Sequence, residues 1–200
     1  MFIISGSTHQ RLGVALAQET GAEFCGVVNK AYPDGERYVR ILRQVSGRDV
    51  GVIQNTFPDE KIVELLLLLE AIREAGAASV TTVIPYMGYA RQERIFQEGE
   101  AVAARAVARP IGMRSDRVLT VSIHTPEVLN FFGCPAEDID GLREVVHYLK
   151  GFTPGLVVAP DAGARERCAI AAKELKAPLH VMTKKRLDDR TVETDSGRVS

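Results

Sequence analysis

The stretch SVTTVIPYMGYARQER, residues 79–94, passes from an apolar, β-branched run into a bend of proline, glycine and aromatic residues, and ends on two arginines. Runs rich in valine, isoleucine and threonine are typical of strands, and proline and glycine directly after such a run indicate a turn. The stretch therefore predicts a buried strand whose carboxyl end carries the cationic side chains of Arg91 and Arg94.

The same unit recurs along the chain, because other short apolar runs are also followed by turn residues and then by a helical pattern. These runs are FIIS (2–5), VGVIQ (50–54), RVLTVSI (117–123), LVVAP (156–160) and LHVMT (179–183). Strands that alternate with helices predict an α/β fold with a mostly parallel sheet and helices on both faces.

Two of the helices have readable ends. The first is predicted from about Thr8 to Glu19, with Ser7 and Gln10 at the spacing of a capping box, and the second covers 58–77 and is ended by Gly76. Two further candidate strands, 24–29 and 38–43, lie close enough in sequence to form a hairpin.

Composition excludes several classes of protein. With 200 residues, 46% apolar and 26% charged, the chain resembles an ordinary globular protein, and a net charge of -1 provides no field for non-specific nucleic-acid binding. Three cysteines far apart predict neither a disulfide framework nor a thiolate metal site, which favours a cytoplasmic location. The longest apolar run, 63–72, contains two glutamates and predicts no membrane span, and no signal peptide is evident.

The five consecutive leucines of residues 65–69 leave their helix apolar around most of its circumference. One sheet face covers only part of such a surface. Two interpretations stay open at this point: a deeply buried core helix, or a helix whose remaining surface packs on another subunit.

Ligands of open parallel sheets bind beyond the carboxyl ends of the strands, so the residues that follow each apolar run are the candidate site. Arg91 and Arg94 are suited to an anion, with Gln92 able to donate and accept beside them, although exposed surface arginine is the plain alternative. His124 is a candidate for a metal or a phosphate, or is a structural histidine. Asp161 either caps the next helix or holds Mg²⁺.

Two further segments are less specific. The sequence YPDGE, residues 32–36, contains a strong turn signal and predicts a hairpin tip, whereas KKRLDDR, residues 184–190, predicts an exposed, mobile loop. The segments 2–24 and 156–179 both run strand, glycine-containing loop, alanine-rich helix and next strand, which favours two copies of one α/β fold. Residue chemistry alone thus indicates an α/β protein that binds a phosphorylated ligand together with a metal.

Five ordered motifs are more specific when taken together. They are YPDGERYVRI (32–41), PYMGYARQERIFQEGE (85–100), TVSIHTPEVLNFFGCP (120–135), VVAPDAGARERCAIAAKEL (157–175) and KKR (184–186). In order and spacing, over essentially the whole chain, they resemble the ribose-phosphate diphosphokinases, also called phosphoribosyl pyrophosphate synthetases.

The resemblance implies an enzyme of nucleotide biosynthesis. Such an enzyme transfers the β,γ-diphosphate of ATP to the 1-hydroxyl of ribose 5-phosphate, with Mg²⁺, and forms phosphoribosyl pyrophosphate and AMP. It implies two phosphoribosyltransferase-like domains, residues 1–145 and the beginning of a second over residues 146–200. It also implies a cytoplasmic homo-oligomer, a dimer or hexamer, with no nucleic-acid or membrane partner.

Roles for individual residues follow from the matching motif positions. The resemblance implies that Tyr32, Asp34 and Glu36 form a turn that contacts the adenine of ATP bound to a neighbouring subunit. It implies that Arg91 and Gln92 bind ATP and that His124 and Asp161 bind the metal. It places Lys184 and Arg186 on a flexible catalytic loop.

The chain also departs from the family pattern. Ser122 stands two residues before the motif histidine, where family members often carry an acid. The glycine- and threonine-rich loop that binds ribose 5-phosphate in the family has no match, which predicts a truncated chain with an incomplete second domain, inactive alone. The alternative function is a non-catalytic regulatory protein associated with a synthetase.

Overall fold

The computed structural model of the protein describes residues 1–186 and 192–195, with side chains described as far as residue 183. The chain divides into two compact units, Met1–Ile139 and Asp140–Ser200, called unit 1 and unit 2 below. The division falls before the boundary predicted after residue 145, and the assignment of phosphoribosyltransferase-like domains stays a prediction.

Unit 1 is built around a six-stranded sheet in which all neighbouring strands are parallel. In chain order the elements are β1 (Phe2–Ser5), α1 (Gln10–Thr20), β2 (Glu23–Cys25), β3 (Val27–Ala31), β4 (Arg37–Ile41), β5 (Asp49–Ile53), α2 (Glu60–Glu74), β6 (Ser79–Ile84), α3 (Ala103–Gly112), β7 (Arg117–Val121) and β8 (Ala136–Ile139). The strand order is β2-β1-β5-β6-β7-β8, and β3 pairs with β4 as a separate antiparallel hairpin. The predicted α/β fold with a parallel sheet is confirmed.

Helices cover both faces of this sheet because its central strands are apolar on both sides. On one face Ile3 and Ile53 pack with Ala17 of α1. On the other face the larger core includes Ile4 of β1, Leu65 and the other buried residues of α2, and residues of α3. The leucine run of α2 is thus mostly core, while Val63 and Leu67 on its outer side remain 48% and 36% exposed. Packing of that outer side on another subunit stays a prediction.

Two local predictions need correction. The predicted capping box at Ser7 is wrong, because α1 begins only at Gln10 and the Ser7 hydroxyl donates to Glu64 instead. The residue before the helix is His9, and its side chain makes no capping bond. The predicted strand 24–29 is two strands, because the chain leaves the main sheet after Cys25 and enters the hairpin at Val27.

Unit 2 begins with α4 (Leu142–Tyr148), followed by β9 (Val157–Ala159), α5 (Arg165–Leu175) and β10 (Leu179–Val181), and β9 and β10 are parallel. The strands β11 (Thr183–Arg186) and β12 (Val192–Asp195) form an antiparallel pair. Residues 184–186 of the predicted loop 184–190 therefore lie in a strand, and residues 187–190 lie outside the described residues. Within the described part of the chain, no helix has the length and apolarity required to cross a bilayer.

Candidate functional site

Three loops of unit 1 meet at the carboxyl edge of its sheet. They are residues 6–9 after β1, residues 54–56 after β5 and residues 85–92 after β6, and these three strands are adjacent in the sheet. Parallel strands bring the ends of successive β–α units to one edge, which is where open sheets of this type bind ligands. The contacts among these loops define the candidate site.

A buried carboxylate fixes the loop after β1. Glu64 of α2 is fully buried and accepts hydrogen bonds from the Ser7 amide at 2.7 Å and the Ser7 hydroxyl at 2.8 Å, while the Lys61 ammonium lies 3.3 Å away. Burial by itself raises the pKa of Glu64, but the bonds from Ser7, a contact with Asn29 and the charge of Lys61 outweigh it and lower the pKa below its ordinary value of 4.5. The buried carboxylate of Glu64 is therefore the anion that holds the loop after β1.

A buried amide joins the loop after β1 to the loop after β5. The side-chain oxygen of Gln54, which is fully buried, accepts bonds from the Thr8 amide at 3.1 Å and the Thr8 hydroxyl at 2.7 Å. Gly6 lies against the same amide, and a Cβ on Gly6 would collide with the Gln54 side-chain oxygen. The absence of a side chain at Gly6 therefore permits this junction.

The loops after β5 and β6 are joined by two side chains. The Tyr86 amide donates to Asn55 Oδ1 at 2.9 Å, and the Gly88 amide donates to Thr56 Oγ1 at 2.7 Å. His9 Nε2 lies 2.8 Å from the same Asn55 oxygen. Asn55 therefore touches all three loops.

The last anchor of the loop after β6 is an aromatic side chain. Tyr89 has a left-handed backbone with φ of 65°, and its hydroxyl donates to Asp59 Oδ1 at 2.7 Å. The hydrogen bond to Asp59 raises the pKa of the Tyr89 phenol above its ordinary value, because it stabilises the protonated form. A non-glycine residue in this conformation costs free energy and persists only where the surroundings hold it.

Arg91 and Gln92 follow this anchored bend. Arg91 is exposed and forms no ion pair with any residue in the described part of the chain, while the Gln92 main chain is fixed by the bonds to Tyr89 and Ala104, at 3.2 Å each. Arg94 is different, because it pairs with Glu93 at 3.5 Å and its guanidinium lies over the Phe96 ring. Of the two arginines predicted as anion ligands, Arg91 is the better placed to meet an external ligand.

His124 lies beyond the end of β7 at the same edge of the sheet, as predicted. Its Nδ1 is 3.0 Å from Thr125 Oγ1, and the imidazole is exposed. The turn that carries it is held from β8, because Asp138 Oδ1 accepts from the Thr120 hydroxyl at 2.6 Å and from the Ile123 amide at 3.0 Å. Ser122 within this turn has φ of 48°, so the backbone is strained close to His124, the candidate contact for a metal or phosphate.

Tyr32, Asp34 and Glu36 share the exposed tip of the β3–β4 hairpin, so the predicted hairpin turn is confirmed. The Tyr32 amide donates to the Glu36 carbonyl at 2.8 Å, and Asp34 Oδ1 accepts from the Glu36 amide at 3.1 Å. The ammonium of Lys30 lies 5.2 Å from the centre of the Tyr32 ring. Their role in contacting adenine stays a prediction.

The remaining candidates belong to unit 2. Asp161 follows β9 and accepts a hydrogen bond from the Ala164 amide at 3.0 Å, so it does cap the turn that leads into α5. The backbones of Lys184 and Arg186 lie in β11, and their side chains lie outside the described residues. In the described part of the chain, no three histidine, cysteine or acidic side chains are grouped as a metal cluster.

Sequence reasoning missed three residues on which the site depends: Glu64, Asn55 and His9. An acid inside an otherwise apolar helix was the signal for Glu64, since a charge there must find partners. Nothing in the local sequence distinguishes Asn55 from an ordinary loop asparagine.

Comparisons with known proteins agree with this architecture. Residues 1–113 match the family described as the N-terminal domain of ribose phosphate pyrophosphokinase. The ribose-phosphate pyrophosphokinase of Methanopyrus kandleri is 38% identical over 96% of this chain and 68% of its own length, and that of Methanosarcina mazei is 44% identical over 82% of this chain and 55% of its own length. The crystal structure of phosphoribosylpyrophosphate synthetase from Mycobacterium smegmatis has the same fold, with a TM-score of 0.80 and 24% identity over 96% of this chain and 66% of that one. The chain therefore spans about two thirds of the length of the Methanopyrus enzyme and of the Mycobacterium chain.

Proposed function

Because the chain belongs to the ribose-phosphate pyrophosphokinase family, we propose that it provides the ATP-holding part of an enzyme that makes phosphoribosyl pyrophosphate. In the reaction the 1-hydroxyl oxygen of ribose 5-phosphate attacks the β-phosphorus of ATP and a new O–P bond forms. The bond between that phosphorus and the α,β-bridging oxygen breaks, AMP leaves with the bridging oxygen, and the hydroxyl proton passes to solvent. The family match over residues 1–113 carries this proposal.

Arg91 and Gln92 are the residues assigned to the triphosphate. A guanidinium binds phosphate oxygens through paired donors, and Arg91 is exposed at the carboxyl edge of the sheet on an anchored loop. Phosphoryl transfer depends on alignment and charge neutralisation rather than on covalent chemistry by the protein. A fixed cation beside the phosphates would serve both needs.

Mg²⁺ is the metal assigned to the reaction, with His124 and Asp161 as its protein contacts. Mg²⁺ favours oxygen ligands and is commonly bound by one or two carboxylates together with substrate phosphates. In the part of the chain that the structure describes, neither residue belongs to a group of three metal-ligating side chains, which fits an ion that arrives with the nucleotide better than a resident metal. Bound to the phosphates, Mg²⁺ would neutralise the charge that moves to the leaving group.

Other parts of the proposal rest on the family alone. Lys184 and Arg186 are assigned to charge stabilisation in the transition state. The hairpin tip at Tyr32, Asp34 and Glu36 is assigned to the adenine of ATP in a second copy, which requires a homo-oligomer. A cytoplasmic location is supported by the three cysteines, which are free thiols in the structure.

Binding of Mg·ATP to the chain, measured by isothermal titration calorimetry, tests the proposal. We expect Arg91→Ala to weaken binding about tenfold or more, because a charge-assisted contact is lost. Arg94→Ala is the matched control and should change binding less than threefold, since Arg94 already has Glu93 and Phe96 as partners. Absence of Mg·ATP binding, or equal effects of the two substitutions, would refute the assignment of this edge to ATP.

The reaction itself is tested by quantifying AMP and phosphoribosyl pyrophosphate after incubation with ATP, Mg²⁺ and ribose 5-phosphate. AMP formation must require both the pentose and the metal. ATP consumption that proceeds equally without ribose 5-phosphate would contradict diphosphate transfer to the sugar.

A further inference from the structure

Asn55 occupies a central position among the three loops of the site. It is the second residue after β5, and its side-chain oxygen is 2.9 Å from the Tyr86 amide and 2.8 Å from His9 Nε2. The main-chain amide of Asn55 donates to the Thr8 hydroxyl at 3.0 Å. One residue thus connects the loop after β1 with the loop after β6.

The hydrogen-bond geometry determines which atoms face each other. The Tyr86 amide can only donate, so the Asn55 atom that faces it must be the carbonyl oxygen. An oxygen cannot donate to His9, so His9 Nε2 must carry the proton. Both bonds to Asn55 therefore converge on a single acceptor, and loss of that acceptor would leave two donors unpaired.

The loop that this acceptor holds is the one that presents Arg91 and Gln92. Tyr86 is the second residue of that loop, and the bend continues through Gly88, which contacts Thr56, and Tyr89, whose φ is 65°. A strained bend keeps one conformation only if its surroundings over-determine it. Asn55 fixes the start of this bend.

We infer that Asn55 is a positioning residue for ATP, acting through the Tyr86 amide on the loop that carries Arg91 and Gln92. The inference rests on the proposed function of that loop. The role inferred for Asn55 is indirect and involves no contact with the nucleotide. It sets where the guanidinium lies, and small displacements of such groups weaken binding and catalysis disproportionately.

Asn55→Ala and Asn55→Asp separate this role from general packing. Aspartate keeps an oxygen that can accept from both Tyr86 and His9, whereas alanine removes it. Asn130→Ala is the matched control, because Asn130 is an exposed asparagine in the segment Pro126–Phe131 of the same unit. His9→Ala removes one of the two bonds and is a milder perturbation that decides the question if Asn55→Ala does not fold.

Two measurements are made on the full chain. Hydrogen–deuterium exchange of the main-chain amides of residues 86–92 should become about tenfold faster in Asn55→Ala, and stay within about threefold of the unmodified chain in Asn55→Asp and Asn130→Ala. The dissociation constant for Mg·ATP should rise about tenfold in Asn55→Ala, about threefold in His9→Ala, and less than threefold in Asn130→Ala, whereas Asn55→Asp is compared by exchange alone because its added negative charge also acts on the triphosphate.

The outcomes distinguish the inference from the proposed function. Unchanged exchange in Asn55→Ala overturns the positioning of the loop, whatever the affinity for ATP. Faster exchange with an unchanged dissociation constant overturns its relevance to ATP. If the unmodified chain binds no Mg·ATP, the proposed function fails and the role of Asn55 toward ATP fails with it, whereas the exchange data still show whether Asn55 holds the loop.

Discussion

Replacement of Glu64 by glutamine should destabilise unit 1 strongly although it removes no volume. Glutamine retains one oxygen for the Ser7 amide, which donates at 2.7 Å in the native protein. Its amide nitrogen would face the Lys61 ammonium and the Ser7 hydroxyl, where the carboxylate oxygen now accepts at 3.3 Å and 2.8 Å. Two charge-assisted bonds at a fully buried position are lost, partly offset because no charge is buried, so we expect a loss of about 3 kcal/mol.

Glu70→Gln is the matched control for this substitution. Glu70 lies on the same helix and pairs with Arg114 at 2.6 Å, but its side chain is 51% exposed. An exposed pair of this kind contributes about 1 kcal/mol or less. The chain contains no tryptophan, so urea unfolding is followed by far-ultraviolet circular dichroism, with hydrogen exchange of the α2 peptides as the local measurement.

The pH dependence gives an independent check. Because the pKa of Glu64 is lowered by folding, its ionised form stabilises the protein above the ordinary pKa of 4.5, and this contribution disappears as the pH falls through the lower pKa of the folded state. The stability difference between the native chain and Glu64→Gln should therefore be constant near neutral pH and shrink below pH 4.5. Equal effects of Glu64→Gln and Glu70→Gln, or a difference that grows on acidification, would refute the description of Glu64 as a buried organising anion.

Three further results are expected. Gly112→Ala should lower the free energy of unfolding by about 3 kcal/mol in urea titrations, because the new Cβ would meet the Phe132 carbonyl oxygen in the backbone; a loss below about 1 kcal/mol would contradict this contact. Tyr89→Phe should weaken Mg·ATP binding about threefold to tenfold in calorimetry and leave the helical circular dichroism unchanged, because only the bond to Asp59 is lost; unaltered affinity would show that this bond does not position the loop. Burial raises the pKa of the Cys134 thiol, so its alkylation by iodoacetamide at pH 8 should be slower than that of free cysteine and should accelerate above pH 9, with Cys134→Ser identifying the signal; alkylation as fast as that of free cysteine would contradict the burial.

Much of the fold was predictable because its signals are local. The apolar runs before Gly6, Gln54, Pro85 and Ser122 all form strands, and the order of strands and helices determines a parallel sheet. The placement of Arg91 and His124 at one edge follows from that order. These features depend on the period and chemistry of neighbouring residues, which the sequence displays directly.

The contacts that make this edge a site were not predictable in the same way. Ser7 is followed by a glutamine at the spacing of a capping box, yet its hydroxyl binds Glu64, which lies 57 residues later. Asn55 finds Tyr86 across 31 residues, and nothing in either neighbourhood indicates the other. The predicted loop that begins at Lys184 is likewise a strand as far as Arg186. The strand forms because this segment pairs with Val192–Asp195, which follows later in the chain.

The sequence by itself therefore determined the α/β architecture, the family and the edge of the sheet at which charged residues gather. The tertiary structure decided which side chains hold those residues in place: the buried carboxylate of Glu64, the amide of Gln54 and the shared acceptor of Asn55. The physical reason is that strand and helix preferences act between near neighbours, whereas a buried polar group must satisfy its hydrogen bonds with whatever donor the folded chain brings within about 3 Å.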